Sequence, residues 1–293
     1  MSAQIKIGFI GLGSLGTPIA MNLLSSRGQL YVYNRTVEKT APLVAAGAVA
    51  CQTVAELAKN CDVIFSIVSD DNALKSISVG DLGMIRHFKK GGIHISMSTV
   101  LPQTAAMLST LHLDQQQHYL AAPVFGRPEA AQARKLNFVV SGAEKIRRTA
   151  EPLLKEAGGA GVWDFGDDIA SAGAVKLCGN FLIASALEAI GESIALARAS
   201  GLDATKMWAM FNQTLFNTPL YHNYSNIVLE QKFEPAAFTM KLGLKDIDLV
   251  LQQAGKVHKS MPLAKLLQHH MQQLLVSGRE DIDWSAVSMA ANK

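Results

Sequence analysis

Charge is scarce in this chain. Only 17% of its 293 residues are Asp, Glu, Lys or Arg, and the formal net charge is +3. No long basic run occurs; Lys89-Lys90 and Arg147-Arg148 are isolated pairs. Such a chain lacks the electrostatic footprint of a nucleic-acid binder. Cysteine is scarcer still. Cys51, Cys61 and Cys178 stand apart, without metal spacing, so no metal site is expected. They read as reduced thiols of a cytoplasmic protein, two of them packed in the first domain. The opening MSAQIKIGF has no basic region followed by a long apolar stretch, so no signal peptide is expected. The most apolar later stretch, Phe181 to Leu187, soon meets Glu188 and Glu192, and no membrane span is expected. No internal repeat is visible. Apolar residues, by contrast, make up 49% of the chain, enough for two domains and a sizeable core.

The chain is organised around its beginning. Ile5 to Ile10 reads as a strand and runs into Gly11-Leu12-Gly13-Ser14-Leu15-Gly16. A helical pattern, Ile19 to Leu24, follows. Strand, glycine turn and helix form the context in which GxGxxG binds a dinucleotide. Gly11 permits the tight turn, Gly13 lets a pyrophosphate approach the backbone, and Gly16 lets helix and strand pack closely. The N–H groups of the first helical turn then face the phosphates. A glycine-rich turn of another α/β protein is the plainer alternative.

The second strand, Gln29 to Tyr33, ends at Asn34-Arg35-Thr36. Strand two of such a sheet meets the adenosine ribose. A carboxylate there would repel a 2′-phosphate; here stand a neutral Asn34 and a cationic Arg35, whose guanidinium can pair with phosphate. NADP(H) is therefore expected over NAD(H), with NAD(H) still admitted. A further strand, Cys61 to Val68, brings Val68 to the cofactor side, and another, Gly91 to Met97, ends at Ser98-Thr99-Val100-Leu101-Pro102. Ligands lie outside the carboxyl ends of parallel strands. Ser98 and Thr99 are thus placed for nicotinamide or substrate, or they cap the next helix. The polar segment His112 to His118 reads as a solvated turn. Tyr119 to Val124 is a strand leading to the loop Phe125-Gly126-Arg127, Asn137 to Gly142 another strand, Ala143 to Ala157 a charged helix, and Ala160 to Phe165 should close the sheet.

After Gly166 the pattern changes. Ile169 to Ser200 shows almost no turn signal and would span about 45 Å as one helix. Being apolar, it should be buried between domains or subunits. Helical patterns follow at Lys206–Asn212, Tyr221–Leu229, Leu242–Ala254 and Leu263–Val276. The expected fold is α/β: a Rossmann-type doubly wound domain over 1–166, then an all-helical domain over 167–293, with a long inter-domain helix. A homodimer or homotetramer follows from so much apolar helical surface. Lys176 and Asn180, four residues apart, share a helix face among Val175, Leu177 and Phe181. A lysine in apolar company needs a partner or a task; snorkelling at a domain edge is the structural alternative. Lys241, Lys245, Asp246 and Asp248 form a second polar group, for which a salt-bridged surface helix is the ordinary explanation.

Five stretches in order carry a likeness: Gly8–Gly16, Ser98–Pro102, Ala122–Gly126, Gly173–Asn180 and Lys245-Asp246. By them the chain resembles the β-hydroxyacid dehydrogenase family, which includes 3-hydroxyisobutyrate dehydrogenases and glyoxylate/succinic semialdehyde reductases. The resemblance implies hydride transfer between NADP(H) and a small carbonyl or hydroxy acid. It implies Lys176 as the proton donor and acceptor, with Asn180 orienting the substrate beside it. Ser98 would touch substrate or nicotinamide ribose; Lys245 and Asp246 would close on substrate and cofactor from the helical domain. Two departures stand out. The family's substrate loop usually reads Ser-Gly-Gly, and here it is Phe125-Gly126-Arg127. Either Arg127 supplies the carboxylate contact, or the substrate is less polar than a small hydroxy acid. Gly179 replaces the first residue of the family's Asn-Asn pair. Imine reductases are distantly similar, but often carry Asp or Tyr where this chain has Lys176. A cofactor-binding module without chemistry would be expected to lose Lys176 or Asn180, and both are present.

Overall fold

The computed structural model describes residues 5–292. Met1 to Gln4, the head of the segment read above as leaderless, and Lys293 lie outside them. The chain divides into two units, Met1–Lys176 and Leu177–Lys293.

In the first unit β1 (Ile7–Ile10), α1 (Gly16–Arg27) and β2 (Tyr31–Tyr33) come first, then α2 (Ala41–Ala45), β3 (Val49–Ala50) and α3 (Val54–Asn60). Next are β4 (Val63–Ser66), α4 (Asp71–Ser78), α5 (Met84–His87), β5 (Ile93–Ser96), α6 (Pro102–Asp114) and β6 (His118–Ala121). These strands make one parallel sheet in the order β3-β2-β1-β4-β5-β6. That is the doubly wound order whose chain reversal lies between β1 and β4. All four residues of β1, β4 and β5 are buried, as strands covered by helices on both faces must be. One core packs Phe9, Leu23, Phe65 and Ile95 with Phe138; another packs Ile10, Leu57 and Ile64 with Cys51 and Cys61. Burial, and for Cys51 also Glu56 nearby, pushes these thiols up to about 11 and about 12, so both stay protonated at neutral pH.

The rest of this unit departs from expectation. β7 (Val124–Phe125), α7 (Pro128–Gln132), β8 (Leu136–Val140), α8 (Glu144–Glu156) and β9 (Gly159–Asp164) follow. β9 does not close the main sheet. It pairs with β8 in a separate three-stranded sheet, β7-β8-β9, in which β7 runs antiparallel to β8. The segment His112 to His118 is a solvated turn only in its middle: Leu113 to Gln116 are exposed, but His112 and Gln117 are buried. Gln117 Nε2 donates to the carbonyls of Ile85 and Phe88, so its oxygen accepts from His112 Nδ1 at 2.9 Å. His112 Nε2 then accepts from His94 Nδ1 at 3.0 Å, and His94 Nε2 from the Ser66 hydroxyl at 2.7 Å. Polarity in this segment thus serves a buried chain of hydrogen bonds.

α9 (Ser171–Ala199) runs from the first unit into the second. The second unit continues with α10 (Ala204–Gln213), α11 (Pro219–Glu230), α12 (Met240–Lys256), α13 (Pro262–Val276) and a 3-10 segment, Trp284–Asn292. Gly191 of α9 lies against Ser288; a Cβ at that position would come within 2.6 Å of the Ser288 backbone. By length and mean hydropathy alone α9 could cross a membrane, a test that the short stretch Phe181 to Leu187 does not reveal. Its far half is instead tied into the helical unit through a buried pair. Glu188 Oε1 lies 2.8 Å from His270 Nδ1 on α13.

Candidate active site

The glycine turn is shaped by its neighbours. Gly11 has φ +100°, and a Cβ on it would stand 2.0 Å from the Ile67 carbonyl oxygen. A Cβ on Gly16 would stand 2.0 Å from the Gly11 carbonyl oxygen. Both positions therefore exclude any side chain, which draws α1 against β1 and β4. A Cβ on Gly13 would meet nothing within 4 Å, so the backbone there is open to a ligand. α1 has no side-chain cap and no acidic residue in its first turn. Its N-terminal N–H groups and dipole suit a pyrophosphate. The cradle fits a dinucleotide.

Asn34 is engaged more closely than its sequence position suggests. Its Oδ1 accepts from Leu12 N at 2.8 Å, and its Nδ2 donates to the Thr36 carbonyl at 2.8 Å. The amide thus ties the glycine turn to the end of β2, and Arg35 stands exposed beside it. On the other side of β1, Ser98 Oγ accepts from Val68 N at 2.9 Å. Ser98 and Thr99 do not cap α6; the cap position is Leu101, with Pro102 in the first turn. No side chain caps α6; Asp71 accepts at 3.0 Å from Leu101 N just ahead of it, while Asp70 caps α4 through Ala73 N at 2.8 Å.

Lys176 is buried at 8% exposure. Its Nζ donates to the Val124 carbonyl at 2.9 Å and stands 4.1 Å from the centroid of the Phe125 ring. Val124 was missed as a site residue because a carbonyl leaves no mark in a sequence. In the helical unit, Asn180 donates its amide hydrogen to Asp246 Oδ2. Asp246 is 1% exposed, and its Oδ1 lies 2.5 Å from Lys245 Nζ. A surface salt bridge was the ordinary expectation for these residues; burial of Asp246 overturns it. The site residues thus fall into four sets: Gly11–Gly16 with Asn34; Ser98 with Val68; Lys176 with Val124 and Phe125; and Asn180 with Asp246 and Lys245. Arg127 Nε lies 3.8 Å from Glu129.

Fold and cradle define an oxidoreductase of the nicotinamide-dinucleotide class. Comparison with known proteins agrees. Residues 6–166 match the NAD binding domain of 6-phosphogluconate dehydrogenase, and residues 170–290 the NAD-binding domain of NADP-dependent 3-hydroxyisobutyrate dehydrogenase. An uncharacterized oxidoreductase of Bacillus subtilis, YfjR, is 40% identical over 97% of this chain and 98% of its own. Glyoxylate/succinic semialdehyde reductase 2 of Arabidopsis thaliana is 29% identical over 97% of this chain and 78% of its own. A 3-hydroxyisobutyrate dehydrogenase of Salmonella typhimurium superposes with a TM-score of 0.88 at 23% identity, over 98% of this chain and 99% of that one. The chain belongs to the β-hydroxyacid dehydrogenase family and is an NAD(P)-linked dehydrogenase or reductase.

Proposed function

We propose that this enzyme interconverts a small aldehyde or ketone and the matching hydroxy compound with NADP(H), and that Lys176 moves the proton. The buried ammonium of Lys176, held by the Val124 carbonyl, carries this reading. When bound, the nicotinamide supplies the hydride in reduction and accepts it in oxidation. As the carbonyl carbon gains hydride, the C=O electron pair moves to oxygen, and Lys176 Nζ gives that oxygen a proton. The same ammonium stabilises the negative charge developing on oxygen. In oxidation Lys176 takes the hydroxyl proton back. Asn180, steadied by Asp246, orients the substrate, and Lys245 lies at the same helical site. Ser98 and Thr99 border nicotinamide and substrate, as does Val68. Gly126 and Arg127 belong to the substrate loop.

The exposed guanidinium of Arg35, with Asn34 and Thr36 in place of an acid, favours a 2′-phosphate, which is why NADP(H) is the cofactor of choice. Residues 1–166 act as the cofactor domain and 167–293 as the substrate and dimerisation domain, and the protein works in the cytoplasm as a homodimer or larger assembly. The test is an NADPH-oxidation screen over semialdehydes, glyoxylate, β-keto acids, plain ketones and cyclic imines. Reduction of a semialdehyde or keto acid is expected. Turnover of imines alone would sink the proposal.

A further inference from the structure

Phe125 ends β7 and is braced from the next strands. Strand register sets it opposite Asn137 of β8, whose Oδ1 accepts from Trp163 Nε1 of β9 at 2.9 Å. Its side chain packs against a buried cluster that includes Val139 and Ala172, as do Val68 and Val175. Above its ring stands the Lys176 ammonium, 4.1 Å from the centroid, while Val124 next to it accepts a hydrogen bond from the same nitrogen. Two consecutive residues of one short strand thus hold the cation through neutral groups, a carbonyl and a π face.

This arrangement bears on what reacts there. A carbonyl oxygen that takes a proton from Nζ lies within about 3 Å of it, and a compound bound on the ring side of the ammonium sets the groups on its carbonyl carbon against the same ring. A π face attracts cations and repels anions, and it has no N–H or O–H to offer. A carboxylate lying there would lose water and gain no hydrogen bond from the ring. An apolar CH₂ group would pack against it. We propose that Phe125 is the specificity-determining residue of this site. It admits carbonyl compounds with an apolar flank beside the reacting carbon, any carboxylate being set off by further CH₂ groups. It turns away those whose carboxylate sits directly on the carbonyl carbon. The inference rests on the reading of Lys176 as proton donor.

The experiment compares NADPH oxidation with butanal, succinic semialdehyde and glyoxylate for the wild type and for Phe125→Ser, Phe125→Leu and Phe125→Tyr. In the wild type, kcat/KM for the first two should exceed that for glyoxylate by about tenfold or more. Phe125→Ser should narrow or reverse this ratio, chiefly through a lower KM for glyoxylate. Phe125→Leu should keep the ratio but lower kcat about fivefold on every substrate, because the ammonium loses its π face. Phe125→Tyr should restore wild-type kcat. A wild type that reduces glyoxylate as well as succinic semialdehyde overturns the inference. So does a Phe125→Ser protein that binds NADPH with a ratio within about twofold of wild type. If Phe125→Ser does not fold, the wild-type ratio and the split between Leu and Tyr decide. A wild type that binds NADPH and reduces no carbonyl at all instead removes the reading of Lys176, and this inference with it.

Discussion

Asn180 on α9 donates its side-chain amide to the carboxylate of Asp246 on α12, and Lys245 Nζ lies 2.5 Å from the other oxygen of that carboxylate. A carboxylate at 1% exposure is tolerated only with partners of this kind. Asp246→Ala leaves the Asn180 amide without its acceptor and the Lys245 ammonium without its anion. The expected result is a loss of stability of about 2–4 kcal/mol in urea unfolding and a raised KM, since Asn180 no longer holds one orientation. Unchanged unfolding and unchanged KM would show that the carboxylate steadies nothing.

Arg35→Ala should weaken NADPH binding by about 1–3 kcal/mol, the scale of a charge-assisted contact, and leave NADH nearly as it was. Fluorescence titration with both cofactors separates the two effects. Equal losses for NADH and NADPH would point to damage in the Asn34 tie rather than to a lost phosphate contact, because that tie reaches Leu12 of the glycine turn.

The glycine turn, its strand and its helix were legible because three constraints coincide there: a positive φ at Gly11, a close approach at Gly16 and an apolar strand in front. The burial of Lys176 was legible for a related reason, as a charge among apolar neighbours. Long-range pairing was not. β9 was legible as a strand, yet nothing local tells whether it joins β6 or β8. The buried path through His94, His112 and Gln117 was equally hidden. Its residues look solvated in sequence, and only the fold brings the Ile85 and Phe88 carbonyls to Gln117. Asp246 was misjudged for the same reason, since its partner Asn180 lies 66 residues away.

That histidine path makes the protein acid-sensitive. Burial lowers His112 to about 4 and holds His94 well below its usual range, with the neighbouring His112 adding to the effect. Both are neutral in the fold and take up protons more readily once unfolded. Their contribution is therefore complete above about pH 6.5 and is lost as pH falls toward 4, on the order of 3 kcal/mol for His112 alone. The urea midpoint should fall steadily from pH 7 to pH 5, above the range where most carboxylates titrate. A flat midpoint over that interval would contradict the assignment.

Leu182 and Leu196 are 65% and 70% exposed on α9. Fourteen residues is close to four helical turns, so both lie on one face. Apolar exposure repeated along one face has the character of an interface, and the proposed homodimer would use this face. Sedimentation at micromolar protein should show a species larger than the 31.4 kDa chain. Leu196→Glu should shift it toward monomer without unfolding it, because the side chain is not part of the core. A wild-type monomer under these conditions would refute the assembly.

Lys176 is the decisive position. If its ammonium is the proton donor, Lys176→Ala should fold, bind NADPH near the wild-type affinity and lose turnover by about 100-fold or more, the scale of general acid catalysis. Lys176→Arg should not restore it. A guanidinium holds its proton too firmly, and the planar group is too large for a place bounded by the Val124 carbonyl and the Phe125 ring. Asn180→Ala should cost less and act on substrate placement, appearing more in KM than in the rate of hydride transfer. A lysine that merely spans a domain edge forecasts something else: a modest change in stability, with turnover within a few fold of wild type. Melting temperature, NADPH affinity and single-turnover hydride transfer, measured on all three variants with the best substrate of the screen, separate these outcomes. Near-native hydride transfer in a folded, cofactor-bound Lys176→Ala protein would end the catalytic assignment.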